Sequence, residues 1–185
     1  MGEVIKHGLI RNREYYRWLK EHQKEINLRD LEICQTMVLV SNQIKGEVVE
    51  KDPTEKGDRA LLNFGHTLGH AIEKLKDFTM FHGHCVGLGA IAASEISADR
   101  GLISKEEAED IRRTMEQFGI PASVSGLSRE EVIAATKLDK KMEAGVVKFI
   151  LLKQIGQAFV DRTVTDQEME AGLESVLEME EEQRR

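Results

Sequence analysis

Apolar residues recur at helical rather than strand spacing over most of the chain. Asn27 can cap a long helix with Asp30 in its first turn and Leu31, Cys34, Val38 and Val48 as apolar positions. Asp52-Pro53 ends it, and residues 55–58 read as a loop. A second helix is expected from about Arg59, carrying His66 and His70. Residues 77–83 then connect to a helix rich in small residues over 84–99, with Gly101 near its end. Ser104-x-x-Glu107 and Ser128-x-x-Glu131 have the spacing of capping boxes, and Gly119-Ile120-Pro121 closes the first of those helices. The pattern changes over residues 146–152, a β-branched and aromatic run. Residues 154–160 follow after a turn, which predicts a β-hairpin. Thr165-x-x-Glu168 opens a last helix that runs into a charged tail over 178–185. The expected fold is therefore mainly α: a helical bundle-like domain with one short β-hairpin.

At 185 residues, 41% of them hydrophobic, the chain can build the core of a single domain spanning residues 1–185. A net charge of −7 argues against a general nucleic-acid or membrane-surface binder. Cys34 and Cys85 offer neither a disulfide framework nor a CxxC metal site and read as core thiols of a reducing compartment. The N-terminal apolar run is broken by Lys6 and His7, so it is no signal peptide, and Lys6 also breaks the myristoylation pattern. The longest run of small and apolar residues, 85–93, is far short of a membrane span. A soluble, cytoplasmic protein is expected.

The chemistry concentrates between Arg59 and His84, which holds four of the six histidines: His66, His70, His82 and His84. His66 and His70 stand four apart, on one face of a helix, where two neutral imidazoles can grip one metal ion. The bland alternative is a surface or capping pair. Gly65, Gly69, Gly83, Gly87 and Gly89 run through the same segment. Each costs a helix about 1 kcal/mol against alanine, so something must approach the backbone closely there, another helix or a ligand. Cys85 lies beside the histidines without a second thiolate, so it reads as core. No strand–GxGxxG–helix unit is present, so this chain should not hold a dinucleotide phosphate by itself.

Lys45–Glu73 (KGEVVEKDPTEKGDRALLNFGHTLGHAIE), the following HGHCVGLG and the opening EVIKHGLI resemble the 3-dehydroquinate synthase family. The likeness runs nearly end to end, but over only the C-terminal half of the family's usual chain. It implies a fragment whose N-terminal NAD-binding domain is missing and which would be inactive alone. The family's reaction turns DAHP, a seven-carbon sugar-acid phosphate, into 3-dehydroquinate and phosphate, a step of the shikimate pathway. The resemblance implies a divalent metal, Zn or Co, held by Glu3, His66 and His82, with NAD supplied by the missing domain. It makes His70 an acid/base group, whereas spacing alone pairs His70 with His66 on the metal. Glu55 is the second acid/base candidate. Lys6, Lys45, Arg59 and Asn63 become substrate contacts, joined by Lys148 or by Lys140-Lys141; Asn63 is expected one helical turn from both Arg59 and His66. Arg suits a bidentate grip on an oxyanion, and Lys acts as a point charge. His7 and His84 have no role by this reading, and His84 is expected to pack behind the ligands. A homodimer is compatible with the resemblance. Two rivals stand beside it: another sugar-phosphate cyclase such as 2-deoxy-scyllo-inosose synthase, and a non-catalytic helical binding module.

Overall fold

The structure, a computed structural model, describes residues 1–53, 57–138 and 147–178. The helices are α1 (Gly2–Arg11), α2 (Arg13–Glu21), α3 (Gln23–Asn27), α4 (Leu31–Lys51), α5 (His66–Leu75), α6 (His82–Asp99), α7 (Lys105–Gln117), α8 (Arg129–Lys137) and α9 (Asp166–Glu174). A 3₁₀ turn (Asp58–Asn63) precedes α5. Strands β1 (Phe149–Gln154) and β2 (Gln157–Asp161) form an antiparallel hairpin, pairing Phe149 with Asp161 and Leu151 with Phe159. The mainly α expectation with one short hairpin is borne out, and among the described residues no helix is long and apolar enough to cross a membrane.

The core is built around α6. It buries every residue from Cys85 to Ala98 except Glu95, and packs against α1, α5, α7, α9 and β1. Small residues make this possible. A Cβ on Gly89 would lie 1.9 Å from the carbonyl oxygen of Gly65, and one on Gly69 would lie 2.8 Å from that of Cys85. The close approach foreseen from the glycines is thus made by a neighbouring helix at these positions. All three capping boxes form: Ser104 with Glu107, Ser128 with Glu131 and Thr165 with Glu168.

Four expectations need correction. The cap of α4 is Asp30, whose side chain accepts from the Ile33 amide, while Asn27 ends α3. Asn27 instead donates to the Gln117 carbonyl. Of the apolar positions read into α4, Val48 is buried, whereas Leu31 and Val38 are exposed and Cys34 is half-buried. The helix expected from Arg59 is divided: the 3₁₀ turn ends at Asn63, and Gly65 takes the left-handed conformation, φ +77°, before α5 begins. Left-handed backbone costs a residue with a Cβ, which is why glycine stands there. Arg59 and Asn63 therefore do not share a helical face with His66. Finally, α6 starts at His82, two residues before the expected point.

Candidate metal centre and anion pocket

The crossing of α5 and α6 carries His66 and His70 on one helix to His82 at the start of the other. The first turn of α1 lies on the first turn of α6, where a Cβ on Gly2 would meet the Gly83 carbonyl oxygen at 2.3 Å. That contact brings Glu3 to the histidines. One ligand atom from each of His66, His70 and His82 lies within 4.8 Å of the others. Glu3 Oε1 lies 3.4 Å from His66 Nε2 and 3.9 Å from His82 Nε2.

The hydrogen bonds around these rings fix which nitrogen carries the lone pair. His66 Nδ1 lies 3.2 Å from the Phe64 carbonyl oxygen and donates to it. His82 Nδ1 lies 3.2 Å from both carboxylate oxygens of Glu73 and donates to them. His66 then presents a bare Nε2 towards Glu3, and His82 turns its Nε2 the same way. Glu3 Oε1 is buried and has no hydrogen-bond partner. Burial, reinforced by the positive charge of Lys6, pushes the His66 pKa down to about 4, so the ring is neutral. For Glu3, burial acts to raise its pKa, but the Lys6 ion pair outweighs this and holds it below the usual carboxylate range. Lone pairs facing an anionic oxygen repel one another unless a cation lies between them. One carboxylate with converging imidazoles is a donor set for a divalent transition ion. The residues present fit such an ion.

Beside this cluster is a pocket of about 220 Å³ lined by Glu3, Lys6, His7, Lys45, Arg59, Leu62, Asn63 and His66. It gathers four of the five expected substrate contacts. Lys6 is only 2% exposed; its ammonium donates to Glu3 Oε2 at 2.7 Å and to the Leu62 carbonyl at 2.6 Å. An ammonium has three donors, so one N–H is left for the pocket. Arg59 is braced by donating to the Pro53 carbonyl, and Asp52 accepts from the Gly57 and Arg59 amides. Arg11 pairs with Asp58 at 2.7 Å, tying the 3₁₀ turn to α1.

Residues 1–142 match the family model described as 3-dehydroquinate synthase C-terminal. The chain belongs to the 3-dehydroquinate synthase family. It is 39% identical over 165 residues to 3-dehydroquinate synthase of Nitrosospira multiformis, covering 89% of this chain and 45% of that one. Against the Ruminiclostridium cellulolyticum enzyme it is 36% identical over 169 residues, covering 91% and 47%. The chain thus spans about half the length of the curated relatives it matches. Among solved structures it is similar to 2-epi-5-epi-valiolone synthase from Streptomyces hygroscopicus subsp. jinggangensis, with NAD+ and Zn2+ bound: TM-score 0.84, 24% identity, 93% of this chain and 48% of that one. It is also similar to 2-deoxy-scyllo-inosose synthase complexed with carbaglucose-6-phosphate, NAD+ and Co2+: TM-score 0.79, 18% identity, 95% and 51%. These two likenesses establish the fold.

The expected site residues distribute as follows. Glu3, His66, His70 and His82 come together, so the structure holds both metal assignments in one cluster. Lys6, Lys45, Arg59 and Asn63 line the adjoining pocket. Lys148 lies just before β1, where its carbonyl accepts from Thr67 Oγ1 at 3.4 Å, beside His66 in sequence. Glu55, Lys140 and Lys141 lie outside the described residues. His84 packs edge-on against Phe81, with ring centroids 5.3 Å apart. Cys85 is fully buried, and burial pushes its thiol up to about 11. Sequence reasoning missed Glu73, which holds the outer nitrogen of His82. Its only signal was position: Glu73 follows His66 by seven residues, two turns along the same face.

Proposed function

We propose that this chain is the metal- and substrate-binding half of a 3-dehydroquinate synthase, acting on DAHP to give 3-dehydroquinate and phosphate. The observation that carries this reading is Glu3 Oε1, without a hydrogen-bond partner, facing the bare Nε2 of His66 and the Nε2 of His82 at the rim of a pocket lined by cationic side chains. Glu3, His66 and His82 would hold a divalent ion, Zn or Co, as the donor set favours. Such an ion polarises substrate oxygens when bound. His70 is assigned proton transfer; its ring centroid is 5.0 Å from that of His66 and 5.6 Å from that of His82. Glu55 is assigned the second acid/base role.

The pocket side receives the substrate's anionic groups. Arg59, braced through Pro53, offers a planar fork to an oxyanion, and Lys45 and the third donor of Lys6 add point charges. Asn63 completes the polar lining, and Lys148, just before β1, is assigned the last substrate contact. NAD, which supplies hydride chemistry, is assigned to the half of the relatives' length that this chain does not span. Cytoplasmic location and a homodimer belong to the same proposal.

The test joins this chain to the NAD-binding half of a relative and follows phosphate release. Metal-dependent release from DAHP with formation of 3-dehydroquinate is expected. Turnover of glucose 6-phosphate in place of DAHP would overturn the reading in favour of another cyclase.

A further inference from the structure

His7 has no part in the reading above, yet it lines the same pocket. It is 4% exposed and sits on α1 one turn after Glu3. Its Nδ1 lies 2.8 Å from Ser41 Oγ on α4. Its Nε2 is buried and has no hydrogen-bond partner in the protein.

Ser41 Oγ can accept from His7 Nδ1–H, and that tautomer leaves Nε2 as a lone pair. Burial first, then the charge of Lys6, lower the His7 pKa to about 4, which keeps the ring neutral. A neutral imidazole in this tautomer accepts through Nε2 and cannot donate there.

We propose that His7 keeps its proton on Nδ1, towards Ser41, and that its unpartnered Nε2 accepts a hydrogen bond from a hydroxyl of the ligand, and so selects a hydroxylated chain over a bare anion in the pocket lined by Lys6, Lys45 and Arg59. Anions are recognised by the cationic side chains; the hydroxyl needs an acceptor, and His7 is a neutral one. The identity of the hydroxylated ligand rests on the function proposed above.

The test is calorimetric titration of the zinc-loaded chain with DAHP and, separately, with inorganic phosphate. His7→Phe keeps a ring but removes the acceptor. It should weaken DAHP about tenfold, the effect of leaving one buried hydroxyl unpaired, and leave phosphate unchanged. His7→Gln, whose amide oxygen can replace Nε2, should recover most of the loss. Unchanged DAHP affinity in His7→Phe, or equal weakening of both ligands, would overturn the proposal. Nitrogen-15 NMR of the unsubstituted chain decides the tautomer independently of any variant's folding: a protonated Nε2 overturns the acceptor role. If the unsubstituted chain binds DAHP no tighter than phosphate, the functional reading itself fails. Loss of the His7 effect alone leaves that reading standing.

Discussion

The two longest helices, α4 and α6, answer to opposite rules. α6 is wrapped on all sides, and its first turn delivers His82 to the metal cluster. In α4 only Met37, Ser41, Ile44 and Val48 are buried, a narrow stripe at steps of four, three and four. Ile33, Cys34 and Val40 are half-buried, and most of the rest of α4 faces outward, including Leu39 at 59% exposure. Yet α4 supplies Ser41 behind His7 and Lys45 in the pocket. The metal side is therefore set by close backbone packing, whereas the anion side draws one lining residue, Lys45, from a lightly anchored helix and the rest from α1, the 3₁₀ turn and α5.

The largest effect should come from making the same change in both helices. Gly89→Ala gains about 1 kcal/mol of helix propensity. It also forces a methyl to within 1.9 Å of the Gly65 carbonyl oxygen, and overpacking against backbone costs about 1–3 kcal/mol or more. The clash should win, with a clear fall in thermal midpoint. Gly46→Ala in α4 meets nothing within 4 Å, so propensity alone should act, raising stability by up to about 1 kcal/mol. Equal shifts in the two melts would erase the comparison.

Next in size is metal affinity. His66→Ala or His82→Ala should empty the site, measured by metal content or by cobalt absorption. His70→Ala should keep the ion while slowing the assembled enzyme by a factor of about 10²–10⁴. Retention of metal in His82→Ala with loss in His70→Ala would restore the simple four-residue His pair. Glu73→Gln should weaken metal about 10- to 100-fold, because the outer carboxylate orients the ligating ring.

A smaller effect is expected from acid. His7 has a pKa of about 4 in the folded chain against an ordinary 6.5. The unfolded chain takes up the proton first, so this contribution is full above pH 6.5 and lost as pH falls towards 4. The thermal midpoint should drop across that window, and His7→Phe should make the drop shallower. The smallest effect should be Leu39→Ser on the open face of α4, within about 0.5 kcal/mol.

What was legible in the chain was local. Ser104, Ser128 and Thr165 announce their helices because a capping box closes within four residues. The hairpin shows because its period changes. The division before α5 was hidden, since Gly65 looks like any helical glycine until α6 presses on it. Burial along α4 was misread because Leu31 and Val38 fit a helical stripe whose actual centre is Ser41. In the site, the His66–His70 pair could be seen from spacing. The family motif added Glu3 and His82. Glu73 and the Ser41 contact behind His7 depend on contacts between distant segments, which no spacing encodes.

α1 is held at both ends. Gly2 abuts Gly83 at its start, and the Gly156 amide at the hairpin tip donates to the Leu9 carbonyl at 2.8 Å near its finish. Sliding along its own axis would break both attachments. Glu3 and His7 lie four residues apart on this clamped rod, about 6 Å along its length. The helix thus acts as a fixed ruler between the carboxylate beside the histidine cluster and the imidazole that lines the pocket. Neither residue can be displaced along that rod without carrying the other, so the spacing of the metal side and the anion side is set by the backbone of one helix.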